Sequence, residues 1–265
     1  GFSQSAVELG TGDDEANIWV STADNVNYDP AIGLHQSIFS AGEGNDRLNI
    51  NANSRGSGVL EAHGLLGDEG LEDTAVLDMG SGNDAIHINA HVNWSNNAVA
   101  MTPGPQVLSQ GISHYNVNLG DGNDFSTDQY SYTEAALRAN VSIHASSGNQ
   151  STLQSVDLIN AVIQHAPIVG GTGNDWIDLH GGLSTQDDAT GIDERTSIGL
   201  LATDVVTGDG ADRLNLWVNN SAEGQLNTFG LVGKNSEGSL VDLGGGNDIF
   251  STNVYASGSA GNAGS

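Results

Sequence analysis

Seven aspartates, each reached through a pair of glycines, are the residues in this chain whose type and spacing could bind an ion. They close the segments Gly10-Thr-Gly12-Asp-Asp14, Gly42-Glu-Gly44-Asn45-Asp46, Gly80-Ser-Gly82-Asn83-Asp84, Gly120-Asp-Gly122-Asn123-Asp124, Gly171-Thr-Gly173-Asn174-Asp175, Gly208-Asp-Gly210-Ala-Asp212 and Gly244-Gly-Gly246-Asn247-Asp248. Successive closing aspartates lie 32, 38, 40, 51, 37 and 36 residues apart. One such copy would read as a tight turn, because Gly and Asn tolerate positive φ. Seven at nearly constant spacing mark a repeat protein, in which each unit buries its apolar face only against a neighbour. Stacking then sets the aspartates above one another at ~5 Å. At an effective dielectric of about 20, two unit charges at that distance repel by roughly 3 kcal/mol. A divalent cation between successive turns would relieve this. Carboxylate and backbone carbonyl oxygens are ligands for calcium rather than zinc, and magnesium demands a stricter octahedron. The expected ligand set is the seven aspartates, their paired glycines, whose bend would aim carbonyls at the ion, and Asn45, Asn83, Asn123, Asn174 and Asn247. The competing reading is an Asx-type turn whose carboxylate caps its own backbone without metal.

The elements that must position these corners follow from the flanking residues. Three and one residues before the first glycine stand Val7/Leu9, Phe39/Ala41, Leu77/Met79, Val117/Leu119, Ile168/Gly170, Val205/Thr207 and Val241/Leu243. Two and four residues after the aspartate stand Ala16/Ile18, Leu48/Ile50, Ile86/Ile88, Ser126/Asp128, Ile177/Leu179, Leu214/Leu216 and Phe250/Thr252. Apolar residues two apart mean one buried strand face, so each motif is a corner between two strands, with the fourth copy breaking the pattern. The span from Asp212 to Gly244 leaves room for a third strand: Arg213 to Asn219, then Gln225 to Val232, then Ser239 to Leu243. The predicted fold is therefore all-β, a right-handed parallel β-helix of about three strands per coil and six to seven coils. The 51-residue interval is expected to add a loop within Tyr130 to Ser155. Residues 1–265 read as one continuous solenoid. The likeness of Val117-Asn-Leu-Gly-Asp-Gly-Asn-Asp to Val241-Asp-Leu-Gly-Gly-Gly-Asn-Asp suggests a three-coil unit, roughly 15–140 and 141–265.

Composition narrows the partners. Six Lys plus Arg against 33 Asp plus Glu give a net charge of −27, which lacks the basic footprint that nucleic acid or an anionic membrane requires. Roughly six ions between seven turns would neutralise twelve of those charges. Cysteine is absent, so there is no disulfide framework and no thiolate metal site. No apolar run approaches the ~20 residues of a membrane span. The chain starts at Gly1, as a processed product or a segment of something longer would.

The motif resembles the nonapeptide Gly-Gly-x-Gly-x-Asp-x-U-x, with U apolar, of the RTX or haemolysin-type calcium-binding repeats. Gly170, Gly171, Gly173, Asp175 and Ile177 match every fixed position. The other copies carry Leu9, Ala41, Met79, Leu119, Thr207 or Leu243 where the leading glycine would be. The resemblance implies calcium held between stacked turns, with one motif per long coil replacing the family's alternating two-sided roll. It implies an extracellular or cell-surface structural element, such as an adhesin stalk, matrix fibre, surface layer or filament. Calcium would couple folding to export. From Asp248 through Ser265 and on from Gly1 to Asp14 is 31 residues, about one coil, so head-to-tail self-association or tandem continuation in one polypeptide is expected.

Other functions have weaker residue support. A polysaccharide lyase or epimerase on a β-helix is the alternative, and it needs a base with arginine or lysine beside a groove. Arg47, Arg55, Arg138, Arg195, Arg213 and Lys234 are the only candidates, and no constellation stands out from their order in the sequence. Ice binding would need a regular Thr/Asn row, but the residue between the glycines runs Thr11, Glu43, Ser81, Asp121, Thr172, Asp209, Gly245. His87 and His91 read as surface residues, and Asp187, Asp188, Asp193 and Glu194 as a solvated loop.

Overall fold

The computed structural model describes residues 1–23, 30–57, 59–70, 74–95, 106–122, 137–146, 156–185, 192–222, 226–233 and 238–258. Their regular elements are β-strands in three parallel sheets. The return sheet runs β1 (Phe2–Ser3), β4 (Ala31–His35), β7 (Leu60–Leu66), β10 (Gln106–Ser113), β13 (Val156–Gln164), β16 (Ile192–Leu201) and β19 (Asn227–Val232). The approach sheet runs β2 (Ala6–Thr11), β5 (Ile38–Glu43), β8 (Val76–Asp78), β11 (Asn116–Asn118), β14 (Ile168–Thr172), β17 (Asp204–Gly210) and β20 (Leu240–Asp242), and β21 (Gly245–Gly246) also pairs with β17. The departure sheet runs β3 (Glu15–Ala23), β6 (Arg47–Gly56), β9 (Ala85–Ser95), β12 (Leu137–Ser146), β15 (Trp176–Thr185), β18 (Arg213–Ser221) and β22 (Ile249–Ala256). Each coil contributes one strand to each sheet, as expected, and every strand pairs with its equivalents in the next coils. The chain is a parallel β-solenoid.

Stacking in register makes the core a set of columns. Leu48, Ile86, Leu137, Ile177 and Leu214 form one on the departure sheet. Leu34, Leu65, Ile112, Ile163 and Leu200 form another on the return sheet. Phe39, Leu77, Val117, Ile168 and Val205 complete the triangle from the approach sheet. All are buried. At about 1.5–3 kcal/mol for each fully buried aliphatic side chain, these columns are the cohesive force against which any column of like charge must be set.

The fourth coil corrects one expectation. Its inward residues on the departure sheet are Leu137 and Ala139, which pair with Ile86 and Ile88; Ser126 and Asp128 lie outside the described residues. The interval from Gly122 to Leu137 is 15 residues where Gly82 to Ile86 is 4, so the eleven additional residues fall between the fourth corner and its strand. Part of the Tyr130–Ser155 window expected to hold a loop is strand β12, whose residues Leu137, Ala139, Val141, Ile143 and Ala145 are buried in alternation. The alternation was hidden because the motif aspartate no longer sets its phase.

A second corner joins the return and approach sheets. Gln4, Gln36, His114, His165 and Ala202 occupy it with φ between 46° and 51°. Each sends its N–H to a carbonyl of the next coil, as in Ala202 N to Val232 O at 2.8 Å. The following hydroxyls close the turn: Ser37 Oγ donates to His35 O at 2.8 Å and Thr203 Oγ1 to Leu201 O at 3.0 Å.

Candidate functional site: the glycine–aspartate corner

The two motif glycines are required by the closeness of neighbouring coils. A Cβ on Gly42 would lie 1.8 Å from Gly10 O, one on Gly80 1.9 Å from Gly42 O, and one on Gly208 2.0 Å from Gly171 O. The second glycines are tighter, with Gly82 at 1.6 Å from Gly44 O and Gly246 at 1.4 Å from Gly210 O. Most also have positive φ, for example 113° at Gly42, 139° at Gly44, 96° at Gly120, 123° at Gly173 and 71° at Gly244. Bend and close approach together exclude a side chain.

The corner backbone is tied into the inter-coil ladder. Gly42 O accepts from Ser81 N at 2.9 Å and Gly80 O from Asp121 N at 3.0 Å. The residue between the glycines receives the other strand of bonds: Glu43 O accepts from Gly12 N at 2.7 Å, Thr172 O from Gly122 N at 2.8 Å and Asp209 O from Gly173 N at 3.0 Å. These carbonyls therefore already hold one hydrogen bond each, with a second lone pair remaining.

The closing aspartates among the described residues point inward, in phase with the residues two positions on. Asp46, Asp84, Asp175 and Asp212 are buried, while Asp14 and Asp248 are half-buried in the outermost coils. Four of these carboxylates reach back toward the preceding coil. Asp46 Oδ1 accepts from Asp14 N at 2.8 Å, Asp84 Oδ1 from Asp46 N at 2.7 Å, Asp212 Oδ1 from Asp175 N at 2.9 Å and Asp248 Oδ1 from Asp212 N at 3.0 Å. The carboxylate stands in for the backbone acceptor that the bend has turned away. The capping bond of an Asx-type turn is thus made to the neighbouring coil rather than to the local backbone. The second oxygens of Asp46 and Asp212 are buried and receive no hydrogen bond.

The preceding asparagines run the opposite way. Asn45 Oδ1 accepts from Asn83 N at 3.0 Å and Asn174 Oδ1 from Ala211 N at 2.7 Å, so the amide reaches toward the following coil. Asn247 is exposed at the seventh corner. Asn123 and Asp124 lie outside the described residues. The missing leading glycine is also explained: Ala41, Met79, Leu119 and Thr207 fill that place as core residues. At Gly170 a Cβ would sit 2.2 Å from Asp175 Oδ2, so there the glycine makes room for the carboxylate.

Burial and like charge act on this column. The Asp84 carboxyl is pushed up from 3.8 to about 6, chiefly by desolvation, with the charges of Asp46 and Asp78 adding to it against the Asp46 N–H bond. Among the described residues no three His, Asp or Glu side chains converge in one cluster. Any ion here would be held by a carboxylate from each coil together with carbonyl oxygens.

The structure also assembles a cluster that sequence order concealed. On the outer face of the departure sheet, Arg138 Nη2 lies 3.3 Å from Asp178 Oδ2, and His180 Nε2 lies 3.1 Å from Asp178 Oδ1. Arg213 Nε donates to Asn215 Oδ1 at 3.2 Å and its guanidinium sits 5.1 Å from the centre of the Trp176 ring. The His180 and Trp217 rings stack at 6.3 Å. Burial raises the Asp178 carboxyl, but hydrogen bonding from His180, the charges of His180 and Arg138 and the Asn215 amide outweigh it and hold it below the ordinary value. The signal was present at one, three and five residues after each aspartate, the outward positions, where Trp176, Asp178, His180, Arg213, Asn215 and Trp217 stand.

The remaining candidates separate. His87 and His91 point outward from β9, and His91, lowered by burial and by nearby His144, bonds Ser142 Oγ at 2.8 Å. Glu194 accepts from Thr196 Oγ1 at 2.6 Å; Asp187, Asp188 and Lys234 lie outside the described residues, as does the Asp193 side chain. Arg195 is buried on the return sheet.

Fold and corner define the class as a parallel β-solenoid with an inward acidic ladder. No protein-family model matches the chain, and no curated protein and no solved structure matches it significantly.

Proposed function

We propose that this chain is an extracellular structural rod of the RTX-like kind, in which calcium binds between successive glycine–aspartate corners and locks the coils together. The observation that supports this most directly is the buried second carboxylate oxygen of Asp46 and of Asp212, which no hydrogen-bond donor reaches. A buried carboxylate oxygen without a donor is costly, and a cation shared between coils would offset that cost. The net charge of −27 favours the same partner. At low calcium the column would repel itself and keep the chain loose; at the millimolar calcium of an extracellular medium the coils would close.

Along the axis, Phe250 and Val254 stand on the inward columns of Leu214 and Val218, yet each is 44% exposed. A further coil set on β22 would bury them, whether it came from a second copy or from continuing chain. This supports a rod extended in one dimension, suited to an adhesin stalk, matrix fibre, surface layer or filament.

Melting in excess chelator and in millimolar calcium tests the ion, with Asp46→Asn and Asp212→Asn alongside. Asparagine keeps the Oδ1 acceptor and removes the charge. Calcium at a hundredfold excess over Kd contributes about 2.7 kcal/mol per site, so the wild type should melt higher in calcium and the variants should gain less. Equal melting temperature and strand content in chelator and calcium would leave the aspartates as a metal-free ladder.

A further inference from the structure

We propose that the outer face of the departure sheet, at the fourth to seventh coils, is a binding site for a carboxylate-bearing oligosaccharide. Three outward columns form it. Trp176 and Arg213 make one wall, His180 and Trp217 the other, and Asp178, Asn215 and Ser251 the floor between them. The walls are four residues apart along each strand, about 13 Å at 3.3 Å per residue. The groove they enclose has a volume of about 440 Å³.

Its chemistry matches a sugar acid. Planar polar groups already brace one another, across coils at ~4.8 Å between Asp178 and both Arg138 and Asn215, and along a strand between Arg213 and Asn215 and between Asp178 and His180. Such a preorganised row offers paired donors and acceptors to neighbouring hydroxyls. Trp217, 47% exposed, adds an apolar surface for the C–H face of a ring.

Charge supplies the carboxylate. Arg138 and Arg213 face one carboxylate, Asp178, leaving a surplus cation on a chain whose net charge is −27. Arg213 engages Asn215 through Nε, so its terminal nitrogens are the ones available for a bidentate contact with a ligand carboxylate. A nucleic acid would meet the surrounding negative field over its whole length, whereas a short uronate meets only this island.

Calorimetric titration with tri-galacturonate, and with the neutral trisaccharide maltotriose, tests the site at one fixed calcium concentration. The uronate should bind with a Kd below about 1 mM and maltotriose at least about ten times more weakly. Arg213→Ala and Trp217→Ala should each weaken uronate binding about tenfold or more, with melting temperature and circular dichroism confirming the fold. Arg55→Ala removes the same charge from the same face of β6, outside the groove, and should leave binding unchanged. Absent uronate binding, equal affinity for the neutral sugar, or an equal loss in Arg55→Ala would each overturn the proposal.

Discussion

Alanine at the second motif glycine should cost very different amounts in different coils. At Gly82 an added Cβ would lie 1.6 Å from Gly44 O, whereas the nearest ordinary C···O approach is about 3.3 Å. The third and second coils must part locally, which strains the bonds from Gly44 N to Ser81 O and from Ser81 N to Gly42 O, both at 2.9 Å. Two weakened ladder bonds are worth about 2 kcal/mol together. Overpacking adds about 1–3 kcal/mol and a side chain at φ 142° about 1–2 more, so Gly82→Ala should lose roughly 4–7 kcal/mol. At Gly12, with φ 121°, a Cβ would meet nothing within 4 Å, and only the backbone strain of about 1–2 kcal/mol applies. Urea denaturation of both variants gives the difference, expected at about 3–5 kcal/mol and present in chelator as well as in calcium because its origin is steric. Equal losses at Gly12 and Gly82 would refute the close-approach argument. A difference seen only in calcium would shift the role of the glycines to the ion.

Three further outcomes follow from the same geometry. Because the folded Asp84 carboxyl titrates at about 6, above its unfolded 3.8, the native state holds this proton more tightly than the unfolded chain. In chelator, stability should therefore rise as pH falls from 7 toward 4, by up to about 3 kcal/mol. Asp84→Asn should flatten that rise and stabilise the protein at pH 7.5, and thermal melts across pH would expose an unchanged profile. Ala202 holds φ at 46° without being glycine, so Ala202→Gly should raise stability by up to about 1 kcal/mol, read from the urea midpoint. Tyr115 is fully buried and its hydroxyl donates to Ser37 O; burial pushes the phenol far above its ordinary range, so it stays a neutral donor. Tyr115→Phe should cost about 1 kcal/mol, since Ser37 O still accepts from Val76 N at 3.2 Å, and melting would show whether the loss is that small.

What the sequence settled by itself was the repeat, its three strands and the phase of its core. Pairs such as Leu48/Ile50 and Ile177/Leu179 alternate with polar residues, and an alternation of two has only one folded meaning when the glycine corners recur at a coil's length. The inward phase of Asp46, Asp84, Asp175 and Asp212 was implied there too, because each lies two residues before a buried aliphatic. Tertiary structure decided which atoms those residues meet. Only stacking shows that Gly82 is pressed on Gly44 O, that Asp46 Oδ1 caps Asp14 N, and that the fourth coil resumes at Leu137. Arg138, Asp178 and Arg213 are 40 and 35 residues apart in sequence yet adjacent across coils. Hydrogen bonding between parallel strands converts a distance of one repeat into ~4.8 Å, and a one-dimensional pattern carries the period of that conversion but not the register in which it closes.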